Sequence, residues 1–207
     1  MPDSARDAEI PPTAKLALRT QLLAERALKG HAELAEAARA VQDALVATLT
    51  ARPPRTVAAY VPLGSEPGGA DLADVLLHAV APERLLLPIL LPDGDLDWAR
   101  YEGPSSLRPG RMGLREPAGP GLGVTAIAEA DAVVVPALAV DRTGLRMGRG
   151  GGSYDRALAR IAPTARTVAL LHDGELLDAV PGEPHDRRVG AVITPGEGLS
   201  ALPDWTK

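Results

Sequence analysis

The stretch DAVVVPALAV (131–140), running straight into DRTGLRMGRGGGSYDR (141–156), decides how this 207-residue chain is read. Its first half is a continuous apolar run, rich in β-branched valine and bounded by turn formers. That is the pattern of a strand buried on both faces of a parallel sheet. The second half is a glycine loop opening a helix, expected from Ser153 to about Ile161. Gly148, Gly150, Gly151 and Gly152 let successive N–H groups turn inward, and a helix start adds its positive end. Such a loop binds phosphate. Charge points the same way: residues 141–160 hold Arg142, Arg146, Arg149, Arg156 and Arg160 against Asp141 and Asp155, in a chain of net charge −5. A solvated surface loop is the plainer reading of a glycine cluster, but the order strand, glycines, arginines, helix favours an anion site. No Gly-Lys-Ser/Thr follows, so this is not a Walker loop. Ser153 stands where G-x-G-x-x-G would need its third glycine. It is also not framed as the serine of a G-x-S-x-G elbow.

Working outward, a helix is expected over 13–29 with Thr13 as N-cap, and a second over 33–49, where Leu34, Ala38, Val41, Leu45 and Leu49 share one face. TVAAYVP (56–62) reads as a strand, followed by a helix from Asp71, as N-cap, to about Val80. RLLLPI (84–89) and LDWARYEG (96–103) flank the turn Pro92–Asp95 and read as a hairpin, with an irregular segment to Gly123. RTVALL (166–171) and, last, VGAVITP (189–195) are further strands. Strands alternating with helices predict an α/β fold, a three-layer αβα sandwich with a mostly parallel, Rossmann-like central sheet and a helical N-terminal segment. Ligands of such folds sit at the carboxyl ends of strands. Residues 1–12 read as a mobile tail and 13–207 as a single domain.

Composition removes several function classes. Hydrophobic residues make up 45% and charged ones 24%, enough for a core, yet there is no Phe and aromatics are 2%. The core must therefore be Leu, Val, Ile and Ala in close helix-on-sheet packing. Without cysteine there is no disulfide scaffold, thiolate zinc site or cysteine nucleophile. Five aromatics and an acidic balance oppose a nucleic-acid module. No apolar run spans a bilayer and the polar start carries no export signal, so a cytoplasmic protein without membrane partners is expected.

Other candidates are weaker by themselves. Lys15 and Arg19, at i and i+4, share a helix face and could grip adjacent phosphates, although such pairs are usually solvated. Glu66 lies beyond a strand's carboxyl end, where a plain surface carboxylate is the simpler reading. The four histidines have no metal-ligand spacing. A metal would rest on carboxylates and phosphate oxygens, as Mg²⁺ does, with Asp155 and Asp186 as candidates.

Together these pieces resemble the 5-formyltetrahydrofolate cyclo-ligase (5,10-methenyltetrahydrofolate synthetase) family over nearly the whole chain after the tail. Lys15-Leu-Ala-Leu-Arg19 fits its Lys-x-x-x-Arg helix, and Tyr60-Val-Pro-Leu-Gly-Ser-Glu66 its Tyr-x-Pro-x-x-x-Glu loop. Gly113-Leu-Arg-Glu-Pro117 fits a central Gly-x-x-Glu-Pro. The run from Pro136 to Arg156 fits the long signature ending Gly-x-Gly-Tyr-Tyr-Asp-Arg, and Val180 to Asp186 the last motif. Two positions depart from the signature: Met147 replaces Leu, and Ser153 replaces the first Tyr, removing an aromatic wall. Gly151 stands where some members carry Lys.

The resemblance implies ATP-dependent closure of 5-formyltetrahydrofolate to 5,10-methenyltetrahydrofolate with release of ADP and phosphate, through a phosphorylated formyl (iminium phosphate) intermediate. It further implies Arg146 and Tyr154 as catalytic residues. Lys15, Arg19, Arg146, Gly148, Arg149, Gly150, Gly151, Gly152, Ser153 and Tyr154 would bind ATP. Val61, Glu66, Arg149 and Ser153 would bind the folate, and Asp155 and Asp186 would hold Mg²⁺. The partners are then small molecules, and the chain a monomer. Two alternatives stay open: a non-catalytic folate- or nucleotide-binding relative, and an ATP-independent sugar-phosphate enzyme on a related fold.

Overall fold

The computed structural model describes residues 12–205, so the expected tail lies outside the described residues except for Pro12. Helix α1 (Pro12–Ala27) starts at that proline, whose missing N–H costs nothing in a first turn. Helix α2 (His31–Ala51) follows Gly30 and buries Val41, Leu45 and Leu49 completely. The strands, in chain order, are β1 (Thr56–Ala58), β2 (Arg84–Leu90), β3 (Leu96–Arg100), β4 (Leu107–Pro109), β5 (Arg115–Pro117) and β6 (Ala132–Pro136), then β7 (Ala139–Asp141), β8 (Arg146–Met147), β9 (Arg166–Leu170), β10 (Leu176–Leu177), β11 (Ala191–Thr194) and β12 (Gly198–Ala201). Helix α3 (Leu72–Val75) lies between β1 and β2, and α4 (Ser153–Leu158) between β8 and β9.

Seven strands form the central sheet in the order β12-β11-β9-β6-β1-β2-β3. The inner five are parallel, and the edge strands β3 and β12 run antiparallel to their neighbours. Alternation along β6 sends Val134 to the face covered by α2 and α3, and Val133 and Val135 to the face covered by α4 and the turn Ala126–Glu129. This is the expected three-layer sandwich. From β1 the strand order proceeds to β2 on one side, and from β6 to β9 and β11 on the other. The direction of winding reverses between β1 and β6, and the crevice at their carboxyl ends is where ligands of open α/β sheets bind.

The run at 131–140 does not form one strand. Pro136 has no N–H to continue the ladder, and the chain leaves the central sheet there. It resumes as β7 in a separate sheet of order β10-β7-β8. That small sheet carries α1, whose Leu22 packs with Leu138, Ala139, Met147 and Val180. Other boundaries shift as well. Strand β1 stops at Ala58, short of the expected Pro62. The helix expected from Asp71 to Val80 is regular only over α3 and widens into a π turn at Leu76–Val80. Asp71 stands at its N-cap position without capping, because its Oδ1 accepts Gln42 Nε2 at 2.7 Å. Strands β4, β5 and β12 were not expected from the sequence. Among the described residues no helix is long and apolar enough to cross a membrane.

Candidate active site

The β7–β8 hairpin delivers Arg146 to the crevice, with its side chain only 3% exposed. Its Nη2 donates to Asp155 Oδ1 at 2.8 Å and its Nη1 to the Pro136 carbonyl at 3.2 Å. The guanidinium stands over the Tyr154 ring, 5.9 Å from the centroid. Arg146 Nε is buried and lacks a hydrogen-bond partner among the described residues. The guanidinium is thus locked in place, its charge paired with Asp155 and its Nε closed off from solvent.

Gly148 lies directly against this arginine. A Cβ there would stand 2.7 Å from Arg146 Nη1, so any larger residue would have to displace the guanidinium. Its carbonyl accepts Arg19 Nε at 3.0 Å. The glycine loop is thus held between an arginine on α1 and one on β8. Gly150 and Gly152 take φ of 101° and 67°, the left-handed region that disfavours other residues.

Across the crevice, the chain after β1 carries half-buried Val61 and then Glu66. The Glu66 carboxylate accepts Leu63 N–H at 2.9 Å and Arg149 Nε at 3.0 Å, so the glycine loop and the 62–67 loop are tied together. Tyr154 packs between the two cores of the central sheet. Burial, and then the charge of Glu66, push its phenol far above the ordinary range. It stays protonated at any working pH and can donate but not act as a base. Ser153 Oγ donates to the Gly94 carbonyl at 2.5 Å, joined there by Arg156 Nη2 at 2.6 Å. Ser153 therefore fastens the loop to the β2–β3 turn.

On the third side, Lys15 Nζ lies 2.7 Å from Asp186 Oδ2 and 3.1 Å from Glu183 Oε2. Glu183, His185 and Asp186 offer ligand atoms within 4.8 Å of one another. Asp155 is not in that group; its Oδ1 also accepts Arg187 N–H at 3.2 Å, which sets it beside the residue following Asp186. Hard carboxylate oxygens next to a phosphate loop suit Mg²⁺, which binds through one or two carboxylates plus substrate phosphates.

Not every arginine of the 141–160 cluster serves this crevice. Arg160 pairs with both oxygens of Asp95 at 2.9 and 2.6 Å, and Arg142 reaches exposed Asp178. A cleft of about 280 Å³ lined by Arg52, Arg55, Asp131 and Arg166 lies at the opposite, amino ends of the strands. There Arg166 donates to the Arg52 carbonyl at the end of α2, a helix-capping role.

Sequence reasoning missed Arg26, Glu175 and His172, all buried. A signal existed for the first. Lys15, Arg19, Leu22 and Arg26 are spaced four, three and four apart, which puts Arg26 on the inward face of α1.

The model of the 5-formyltetrahydrofolate cyclo-ligase family matches residues 12–195. A 5-formyltetrahydrofolate cyclo-ligase of Mycolicibacterium smegmatis is 45% identical over 196 residues, covering 92% of this chain and 98% of that one. The Escherichia coli protein of the same name is 32% identical over 145 residues, 69% of this chain and 79% of its own. Among solved structures, a 5,10-methenyltetrahydrofolate synthetase of Aquifex aeolicus superposes with a TM-score of 0.73 at 25% identity, covering 93% of this chain and 95% of that one. With the glycine loop, its two arginines and the Glu66 loop gathered at one crevice, these matches place the chain in the 5-formyltetrahydrofolate cyclo-ligase family.

Proposed function

We propose that this chain closes 5-formyltetrahydrofolate to 5,10-methenyltetrahydrofolate at the expense of ATP, acting as a monomer. The observation that carries the reading is Gly148 held between Arg19 and Arg146, with Arg149 of the same loop bonded to Glu66. One loop thereby reaches both a phosphate cradle and a carboxylate suited to the amino and N–H donors of a pterin.

A formamide oxygen is a poor nucleophile and a worse leaving group, so dehydration needs activation. The formyl oxygen attacks the γ-phosphorus and the bond to ADP breaks. The resulting iminium phosphate is attacked at carbon by the neighbouring amine, which loses its proton. Phosphate then leaves with the former formyl oxygen. Phosphoryl transfer asks for positioning and charge neutralisation. Arg146 and the N–H groups of residues 148–152 meet the transferred phosphoryl, and Lys15 and Arg19 hold the remaining phosphates. The Tyr154 phenol donates a hydrogen bond beside them, Ser153 keeps the loop in place, and Val61 and Glu66 receive the pterin. Mg²⁺, held by Asp155 and Asp186, would supply charge neutralisation at the phosphates.

The test is isotopic. With ¹⁸O in the formyl group, the label should appear in released phosphate, one atom per methenyl product. Label found in water instead would rule out the phosphorylated intermediate.

A further inference from the structure

Three buried residues left unused by this chemistry, Arg26, Glu175 and His172, form one chain from α1 to the Glu66 loop. Arg26 is 1% exposed and donates to both carboxylate oxygens of Glu175 at 2.7 Å, and to the Ala137 carbonyl at 2.6 Å. Glu175 Oε2 accepts the backbone N–H of His172 at 2.7 Å. The His172 ring sets Nε2 2.9 Å from the carbonyl oxygen of Ser65. A carbonyl only accepts, so Nε2 carries the proton. Burial pushes His172 below the ordinary imidazole range and favours the neutral ring.

Such a chain is a poor stabiliser, because desolvation offsets most of the attraction and apolar residues of equal volume would serve the core as well. What apolar residues could not supply is a directed hold on Ser65. Among the described residues, the other ties of this stretch run from Tyr60 to Pro67, from Leu63 to Glu66 and to half-exposed Arg149, and Gln42 of α2 holds the adjacent Gly68 carbonyl at 2.8 Å. Of these partners, buried His172 is the one that holds Ser65, the residue beside Glu66. At the other end, Arg26 sits on the helix that carries Lys15 and Arg19.

We propose that His172 is a positioning residue: through Glu175 and Arg26 it sets the 62–67 loop against α1 and so aligns the folate side of the site with the ATP side. The inference rests on the reading of Glu66 as a pterin contact.

The test compares the full chain with His172→Ala, His172→Gln and Glu66→Gln. KM is measured separately for 5-formyltetrahydrofolate and ATP, together with Tm and amide exchange at Leu63 and Glu66. His172→Ala should raise the folate KM about tenfold, the scale of losing a residue that orients a binding group, with little change for ATP. His172→Gln, which can still donate to Ser65, should restore most of the loss. Both amides should exchange faster in the Ala variant only. An unchanged folate KM, or both KM values rising alike with no rescue by Gln, would overturn the proposal. If Glu66→Gln leaves the folate KM untouched, the reading of Glu66 fails and amide exchange alone decides. Unchanged exchange in His172→Ala then overturns the anchor, and faster exchange rescued by Gln upholds it.

Discussion

Arg146 Nη2 lies 2.8 Å from Asp155 Oδ1, and this contact divides the work between the two residues. The arginine is fixed in its buried seat with Nε left over, while the carboxylate takes a second bond from the backbone of Arg187. In the proposed mechanism a phosphoryl group would meet a cation already held in place, the condition under which electrostatic stabilisation is largest.

Arg146→Ala should lower turnover by about 10²–10³, the scale of losing one transition-state contact. Arg146→Lys should recover little, since one ammonium cannot replace a planar fork bonded to both Pro136 and Asp155. Steady-state kinetics on variants of matched Tm would check this, and undiminished turnover in the alanine variant would remove Arg146 from the mechanism.

Gly148→Ala should be nearly as damaging without altering any charge. Its Cβ would fall 2.7 Å from Arg146 Nη1 and push the guanidinium aside. We expect turnover to fall up to about 10²-fold, as for an ångström of misplacement. Gly119→Ala, where a Cβ meets nothing within 4 Å, should keep full activity.

The Asp95–Arg160 pair yields a pH prediction. The bonds from Arg160 hold the Asp95 carboxyl below the ordinary range. A depressed carboxyl adds stability that is fully present above its unfolded value, about 4, and is lost as pH falls through the folded value. Asp95→Asn should thus cost about 1–3 kcal/mol at neutral pH. The gap to the parent protein should close as acid unfolding is followed downward from pH 4. A constant gap would mean that the carboxylate's charge is not what matters.

Glu175→Ala should cost about 3–5 kcal/mol by denaturant unfolding, because it strands Arg26 in the core. Replacing both partners by apolar residues should return most of that loss. A double variant as unstable as the single one would contradict this account of the pair.

Much of the fold was legible because the decisive patterns are local. Val133, Val134 and Val135 carry no polar alternation, and a strand of that kind needs cover on both faces. The spacing of Val41, Leu45 and Leu49 likewise foretold the helix that provides cover on one of them. What stayed hidden depends on partners far along the chain. Pro136 is a local sign that the ladder ends, but nothing in DAVVVPALAV says that the remainder joins β8 and β10. The short strand β12 inverts the usual rhythm, since Leu199 and Ala201 are exposed while Gly198 and Ser200 are half-buried. Within the site, Arg146 and the glycines stood out by density, and Lys15 and Arg19 by spacing. The anchor was invisible: Arg26 and Glu175 are 149 residues apart, and an arginine facing inward looks like any helical arginine until its carboxylate is placed.

The most direct measurement is near-ultraviolet absorbance of the purified protein mixed with 5-formyltetrahydrofolate and Mg-ATP, beside mixtures lacking ATP or Mg²⁺ and the complete mixture with Arg146→Ala. The account predicts a rise from methenyl product in the complete mixture, absent without ATP and strongly slowed by the substitution. A flat trace from folded protein that still binds both ligands would contradict it.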